Sequence, residues 1–193
     1  RPDRGSAWLG QRIDLLREDE ATIARLGVGR KFQKPSVFPC LSVRENLALA
    51  IAGNRSPWQA LRYRPSSAEL LRIEELLLTT GLEPLREKGA ADLSHGQKQW
   101  LEIGMLLAQD PRVLLIDEPV AGMTPHEVER TAQLLQSLVP ERSVIVVEHD
   151  MAFVRSIARR VTVLHEGAVL MEGSMDEVQA DPRVREVYLG ESC

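Results

Sequence analysis

Apolar residues along this chain follow two spacings, and the change comes near residue 110. From Val43 to Ala52 and from Ser67 to Leu78 the pattern is helical; in the second stretch Leu70, Ile73, Leu76 and Leu77 recur at the three-and-four spacing of an amphipathic helix. A third helix is expected from about Gly96 to Ala108, while Gly53 to Pro65, rich in Arg, Ser and Pro, reads as an exposed connection. Beyond residue 110 the apolar positions are continuous. Val113 to Ile116 and Ser143 to Val147 are candidates for strands buried on both faces. The helix between them, Pro125 to Leu138, is introduced by Thr124-Pro125-His126-Glu127, a capping box with Pro at the first helical position. Strand, helix and strand in this order form a right-handed crossover with the strands parallel. The fold class is α/β.

The flanks are simpler. Ser6 to Leu9 and Gln11 to Ile13 around Gly10 read as a hairpin, followed by a polar helix at about Glu18 to Leu26 and a strand from Val28 to Phe32. Lys34 to Pro39 holds two prolines and is a loop. After the second apolar run come a helix, Met151 to Arg159, and a strand, Val161 to Leu164. The chain then turns back through Glu166-Gly167 to Ala168–Met171 and closes with short helices at Met175 to Gln179 and Pro182 to Leu189.

Composition narrows the function classes. Of 193 residues 44% are hydrophobic and 27% charged, the balance of a globular protein. A net charge of −4 removes the electrostatic case for a nucleic-acid binder. The longest apolar stretch, Leu47 to Gly53, is too short to span a bilayer. Cys40 and Cys193 are the only cysteines, which fits a reducing compartment and excludes a cysteine-rich zinc site. The first residues, Arg1-Pro2-Asp3, carry neither an initiator Met nor a signal-peptide pattern, as expected of a sequence that starts inside a longer one.

Ligands of parallel α/β sheets sit beyond the carboxyl ends of the strands. There the two apolar runs end in Asp117-Glu118 and in Glu148-His149-Asp150. An Asp closing an apolar strand can hold Mg²⁺, and the carboxylate after it can orient an attacking water. Taken singly, two solvated acids and a strand-end histidine explain these residues as well. Zinc needs three or four ligands, and Glu148 and His149 alternate faces if the strand continues, so a local zinc cluster is not expected. Leu93-Ser94-His95-Gly96-Gln97 opens a helix, with Ser94 as N-cap, Gln97 as its reciprocal partner and Gly96 allowing close approach to the backbone. Such an N-terminus is suited to phosphate, but alone it is only a good helix start.

In combination these motifs say more. Gln33, Leu93–Gln97, Val113–Glu118 and His149 stand in the order and spacing of the ABC-type ATPases, and the chain resembles that family from its first residue nearly to its last. The resemblance implies a parallel RecA-like core sheet with an antiparallel β segment and a helical subdomain. It implies ATP and Mg²⁺ as ligands. Gln33 is then the Q-loop glutamine that touches Mg²⁺ and the attacking water; Ser94, His95, Gly96 and Gln97 form the signature that contacts ATP on the opposite subunit. Asp117 and Glu118 become the Mg²⁺-binding aspartate and catalytic glutamate, His149 the switch histidine, and Ala121, Gly122, Met123 and Thr124 the D-loop at the dimer interface. Lys31–Pro35, Leu93–Met105, Glu118–Thr124, Val147–Met151 and Val187–Glu191 are similar to bacterial importers of branched-chain amino acids and of urea or amides, most closely to a urea importer's ATP-binding subunit. Implied partners are a second ATPase subunit in a head-to-tail homo- or heterodimer, transmembrane permease subunits and, through them, a periplasmic solute-binding protein; nucleic acid is not one. The implied location is peripheral, on the cytoplasmic face of the inner membrane. A chromosome- or repair-type ABC ATPase ranks lower, because the chain has neither a long coiled-coil insertion nor a basic stripe.

The chain departs from the family at three places. His95 stands where glycine is usual, and Thr124 where the D-loop has aspartate. The third departure is an absence: the only lysines are Lys31, Lys34, Lys88 and Lys98, none follows a glycine, and no Gly-Lys-Ser/Thr phosphate loop occurs. The expectation is a partial ABC domain lacking its Walker A strand, loop and helix. Its parts would be a partial core with hairpin and Q-loop (1–41), a helical subdomain (42–110), a core with Walker B and switch histidine (111–165), and a C-terminal hairpin with helices (166–193). The complete protein would hydrolyse ATP, while this chain by itself would be a non-hydrolysing remnant or partner-binding module.

Overall fold

A tight hairpin opens the described chain: β1 (Trp8–Leu9) pairs antiparallel with β2 (Ile13–Asp14) through a turn where Gly10 takes φ +62°, cheap only without a Cβ. The computed structural model describes residues 5–31, 36–51 and 65–189. They divide into two units, one up to Val147 and one from Glu148 onward. Gln33, in 32–35, and most of the connection from Gly53, in 52–64, lie outside the described residues.

In the first unit α1 (Glu20–Arg25) starts at Asp19, whose carboxylate accepts the Thr22 N–H at 2.6 Å. It leads to β3 (Val28–Lys31), which pairs in parallel with β4 (Val113–Asp117); β4 in turn pairs in parallel with β5 (Ser143–Val147). Lys31, Ile116 and Val146 stand side by side. The parallel pair joined by a helix agrees with the sequence pattern, but burial on both faces does not. Leu114 and Ile116 of β4 are buried while Val113, Leu115 and Asp117 are half-buried. On β5, Ile145 and Val147 are 53% and 62% exposed. The physical reason is position: β5 is the edge of this three-stranded sheet, so an apolar run there is covered less than the same run in a central strand.

Helices α2 (Val43–Ile51), α3 (Ser67–Thr80) and α4 (His95–Leu107) pack on one another around buried Val43, Leu47, Ile73, Leu76, Leu77, Leu101 and Ile103. Gly104 is the point of closest approach, because a Cβ there would lie 3.0 Å from Leu47 Cδ2 and 3.1 Å from Thr80 Cγ2. Asn46 is fully buried and satisfied: its Oδ1 accepts the Phe38 N–H at 2.8 Å and its Nδ2 donates to the carbonyls of Phe38 and Ser42 at 3.1 and 2.9 Å. It thereby folds the loop before α2 onto the helix. Helix α5 (Pro125–Leu138) is tied in by Arg130, which donates to the Gly81 carbonyl at 2.6 Å and lies 4.2 Å from the centre of the Trp100 ring.

The second unit is built on an antiparallel hairpin, β6 (Val161–His165) and β7 (Ala168–Gly173), that turns at Glu166 and Gly167 with φ +49° and +78°. Val163, Val178 and Val184 form its core, bringing α7 (Met175–Ala180) and α8 (Pro182–Val184) onto the hairpin. Ahead of it, α6 (Met151–Ile157) is capped by Asp150, and its Arg155 pairs with Asp176 of α7 at 2.9 Å. Among the described residues no helix is long and apolar enough to cross a membrane.

Helix α4 lies close on the sheet because β3 carries glycine at its contact. A Cβ on Gly29 would stand 2.8 Å from Leu106 Cδ1 and 3.2 Å from Pro111 Cβ. Valine suits a strand by local propensity, so only this packing opposes it. Gly29→Val is expected to lower unfolding stability in urea by about 1–3 kcal/mol; an unchanged midpoint and slope would show that α4 is not pressed against β3.

Candidate functional site

Ser94 to Gln97, which the resemblance assigns to the signature, form the N-terminus of α4. Ser94 Oγ accepts the Gln97 N–H at 3.2 Å, and Gln97 Oε1 accepts the Ser94 N–H at 3.0 Å, the reciprocal box read from the sequence. The turn from Ala121 to Thr124 stands against it. His95 extends its Nε2 to the Ala121 carbonyl at 3.1 Å, so it touches the turn that the resemblance assigns to the D-loop. Thr124 caps α5, accepting the Glu127 N–H, while Glu127 Oε2 accepts the Thr124 N–H at 3.0 Å and its hydroxyl at 2.9 Å. Those Thr124 bonds hold the Glu127 carboxyl below the usual glutamate range, with smaller help from Ser94 and His95. Deeper in, Thr131 donates to the Glu127 carbonyl at 2.8 Å, accepts the Trp100 Nε1–H at 2.9 Å, and has Met123 Sδ 3.3 Å away. The start of α4 and the turn Ala121–Thr124 with the start of α5 are therefore one hydrogen-bonded body.

Asp117 ends β4 beside Val147 of β5, at the carboxyl edge of the sheet. Glu118 follows at φ +44°, a left-handed conformation that costs a residue with a Cβ about 1–3 kcal/mol. Its N–H donates to the Val147 carbonyl at 2.9 Å, which extends the β4–β5 pairing past the turn. His149 belongs to the second unit, with an imidazole 76% exposed, whereas the side chain of Glu148 is buried and accepts the His149 N–H at 2.9 Å. Asp117, Glu118, the signature and the D-loop all lie in the first unit. A cleft of about 300 Å³ beside Arg130, lined by Thr79, Gly81, Trp100, Gln133 and Ser137, holds none of the candidate catalytic, phosphate-binding, metal or D-loop residues.

The family described as ABC transporter matches residues 1–121. The chain belongs to the ABC transporter family of ATP-binding domains. A second family, described as branched-chain amino acid ATP-binding cassette transporter, matches residues 168–193 of this ABC domain. The lipopolysaccharide export system ATP-binding protein LptB of Acidithiobacillus ferridurans is 35% identical over 99% of this chain and 76% of its own. The high-affinity branched-chain amino acid transport ATP-binding protein BraF of Pseudomonas aeruginosa is 32% identical over 88% of this chain and 70% of its own. Among solved structures, MJ1267, an ATP-binding cassette of an ABC transporter, superposes with TM-score 0.81 at 26% identity, covering 96% of this chain and 77% of that one.

Mg²⁺ takes one or two carboxylates and completes its shell with water and phosphate oxygens. Asp117, at the strand end, carries a hard carboxylate oxygen of the kind that mode uses. Among the described residues no group of three or more His, Cys, Asp or Glu is placed to hold a metal.

Sequence reasoning missed Glu102, one position on the inner face of the ABC domain's signature helix. Glu102 Oε2 faces Lys31 Nζ of β3 at 3.6 Å, with both side chains almost wholly buried. Its Oε1 accepts the Ser36 N–H, and the Ser36 hydroxyl at 3.2 Å. Burial pushes the Lys31 ammonium below the ordinary lysine range, and the Glu102 carboxylate opposes that shift. Removing one member of a buried pair strands the other charge. Lys31→Met is therefore expected to cost about 3–5 kcal/mol in denaturant unfolding, and adding Glu102→Gln, which keeps an acceptor for Ser36, to restore much of the loss. Equal stability of Lys31→Met and wild type would remove the pair from the account.

Proposed function

We propose that this chain is part of an ATP-hydrolysing subunit that energises a bacterial ABC importer. The observation that carries the reading is the capped signature helix and the Asp117-Glu118 strand end standing in one unit. Two such subunits would close head to tail, each offering Ser94 and the first free amides of α4 to the phosphates of ATP on the other. The positive end of the helix dipole and the unpaired N–H groups favour that anion. Asp117 would hold Mg²⁺, which when bound neutralises charge on the transferring phosphoryl group. Glu118, turned out of the strand by its left-handed backbone, orients the attacking water and accepts its proton. His149 contacts the terminal phosphate, and Gln33 couples the site to the membrane subunits. Closure pulls on permease helices docked near residues 34–60, and the subunit works on the cytoplasmic face of the inner membrane.

Two solute classes have support. The subfamily runs Lys31–Pro35 and Leu93–Met105 favour urea or short amides. The match of residues 168–193 and the likeness to BraF favour branched-chain amino acids. Uptake of labelled urea and leucine by the reconstituted importer separates the two.

In the full-length subunit, Glu118→Gln is expected to lower ATP turnover by about 10²–10⁴-fold while ATP still drives association. Normal turnover would end the assignment of Glu118. The 193-residue chain alone, which has no Gly-Lys-Ser/Thr run, is expected to give no saturable ATP binding by calorimetry at micromolar nucleotide. A clear saturable isotherm would mean that other residues supply the phosphate cradle.

A further inference from the structure

Glu127 does more than complete the cap of its own helix. Its Oε2 is engaged by Thr124, but its Oε1 reaches the neighbouring helix and accepts the Ser94 hydroxyl at 3.2 Å. At the comparable box of α7, the Glu177 carboxylate bonds to its own cap, Ser174. The carboxylate of Glu127 also lies against the backbone of the signature: a Cβ on Gly96 would stand 2.5 Å from its Oε1 and 2.7 Å from its Cδ. One anion is thus shared between the N-termini of α4 and α5.

We propose that Glu127 is a tethered anion that competes with the nucleotide phosphate for the N-terminus of the signature helix, and so sets how much ATP the pairing of two subunits requires. The inference rests on the reading of Ser94 and α4 as the phosphate-contacting face. Three physical facts support it. A serine hydroxyl has one proton, and while it is donated to Glu127 it is not available to a phosphate oxygen. The dipole of α4 attracts one anion, and a second arriving beside it meets like charge. The bonds from Thr124 hold the carboxyl ionised, so the competitor is charged at neutral pH. His95, bonded to the Ala121 carbonyl, keeps the two turns at this spacing.

The test is Glu127→Gln in the full-length Glu118→Gln subunit, where ATP is not consumed. Glutamine still serves as a capping-box partner through its one oxygen, and with an amide NH₂ in place of the second oxygen it removes both the charge and the acceptor that faces Ser94. The ATP concentration for half-maximal association is read by sedimentation at about 50 mM and about 500 mM salt. The expected result is a requirement lowered about tenfold at low salt, with the difference shrinking at high salt as screening shortens the interaction. Glu127→Asp, which keeps the charge but draws it back from Ser94, is expected to lower the requirement less. An ATP requirement equal to the parent's in both variants at low salt overturns the inference alone. If the Glu118→Gln parent does not associate at any ATP concentration, the reading of the signature face falls and this inference with it.

Discussion

A buried carboxylate on the signature helix fixes where that helix sits. Glu102 is bonded to Ser36 and paired with Lys31, so one side chain joins α4 to the end of β3 and to the chain just beyond residues 32–35. A charge that has left water has to remain paired. Sliding α4 along the sheet by one residue would strand both Lys31 and Glu102. The register of the pair thus places Ser94, at the helix start, relative to Asp117, at the strand end. Gly29 lets α4 lie close on β3, and Gly104 lets it pack closely on α2 and α3.

Around that anchor the start of α4 and the turn before α5 are joined by hydrogen bonds. The start of α5 meets the N-terminus of α4 through Glu127 with Ser94, the preceding turn meets it through Ala121 with His95, and Thr131 joins the two helices below through Trp100. Polar links of this kind can be exchanged for bonds to a ligand at little net cost, because each broken bond is replaced by another. An apolar contact in the same place could not be exchanged so. Glu118 shows the same economy of support: its left-handed backbone is sustained by its N–H bond to Val147, which makes the second strand's position a condition for the glutamate's orientation.

Much of this was legible in the sequence where the physics is local. Helices α2 to α5 begin and end within a few residues of the apolar repeat, since helical periodicity depends on neighbours three and four positions away. The boxes Ser94–Gln97 and Thr124–Glu127 were readable for the same reason. The enclosure of β5 was not: an apolar run reports that a strand can be buried, while its place at the edge of the described sheet depends on strand order. Asn46 also escaped notice, because a buried amide is explained only by the loop it fastens; His95 was singled out, but not its partner, the Ala121 carbonyl 26 positions on.

The sequence by itself determined the secondary structure, the motif order that makes the chain a member of the ABC family, and the residue types at the candidate site. The tertiary structure decided which of those residues share bonds. It paired Lys31 with Glu102 and brought Glu127 to Ser94, 33 positions away. Local propensity and capping act within a turn of chain, so a sequence displays them. Charge pairing and shared hydrogen bonds act through space, and only the packing of α4 on the sheet and of α5 beside it brings those partners together.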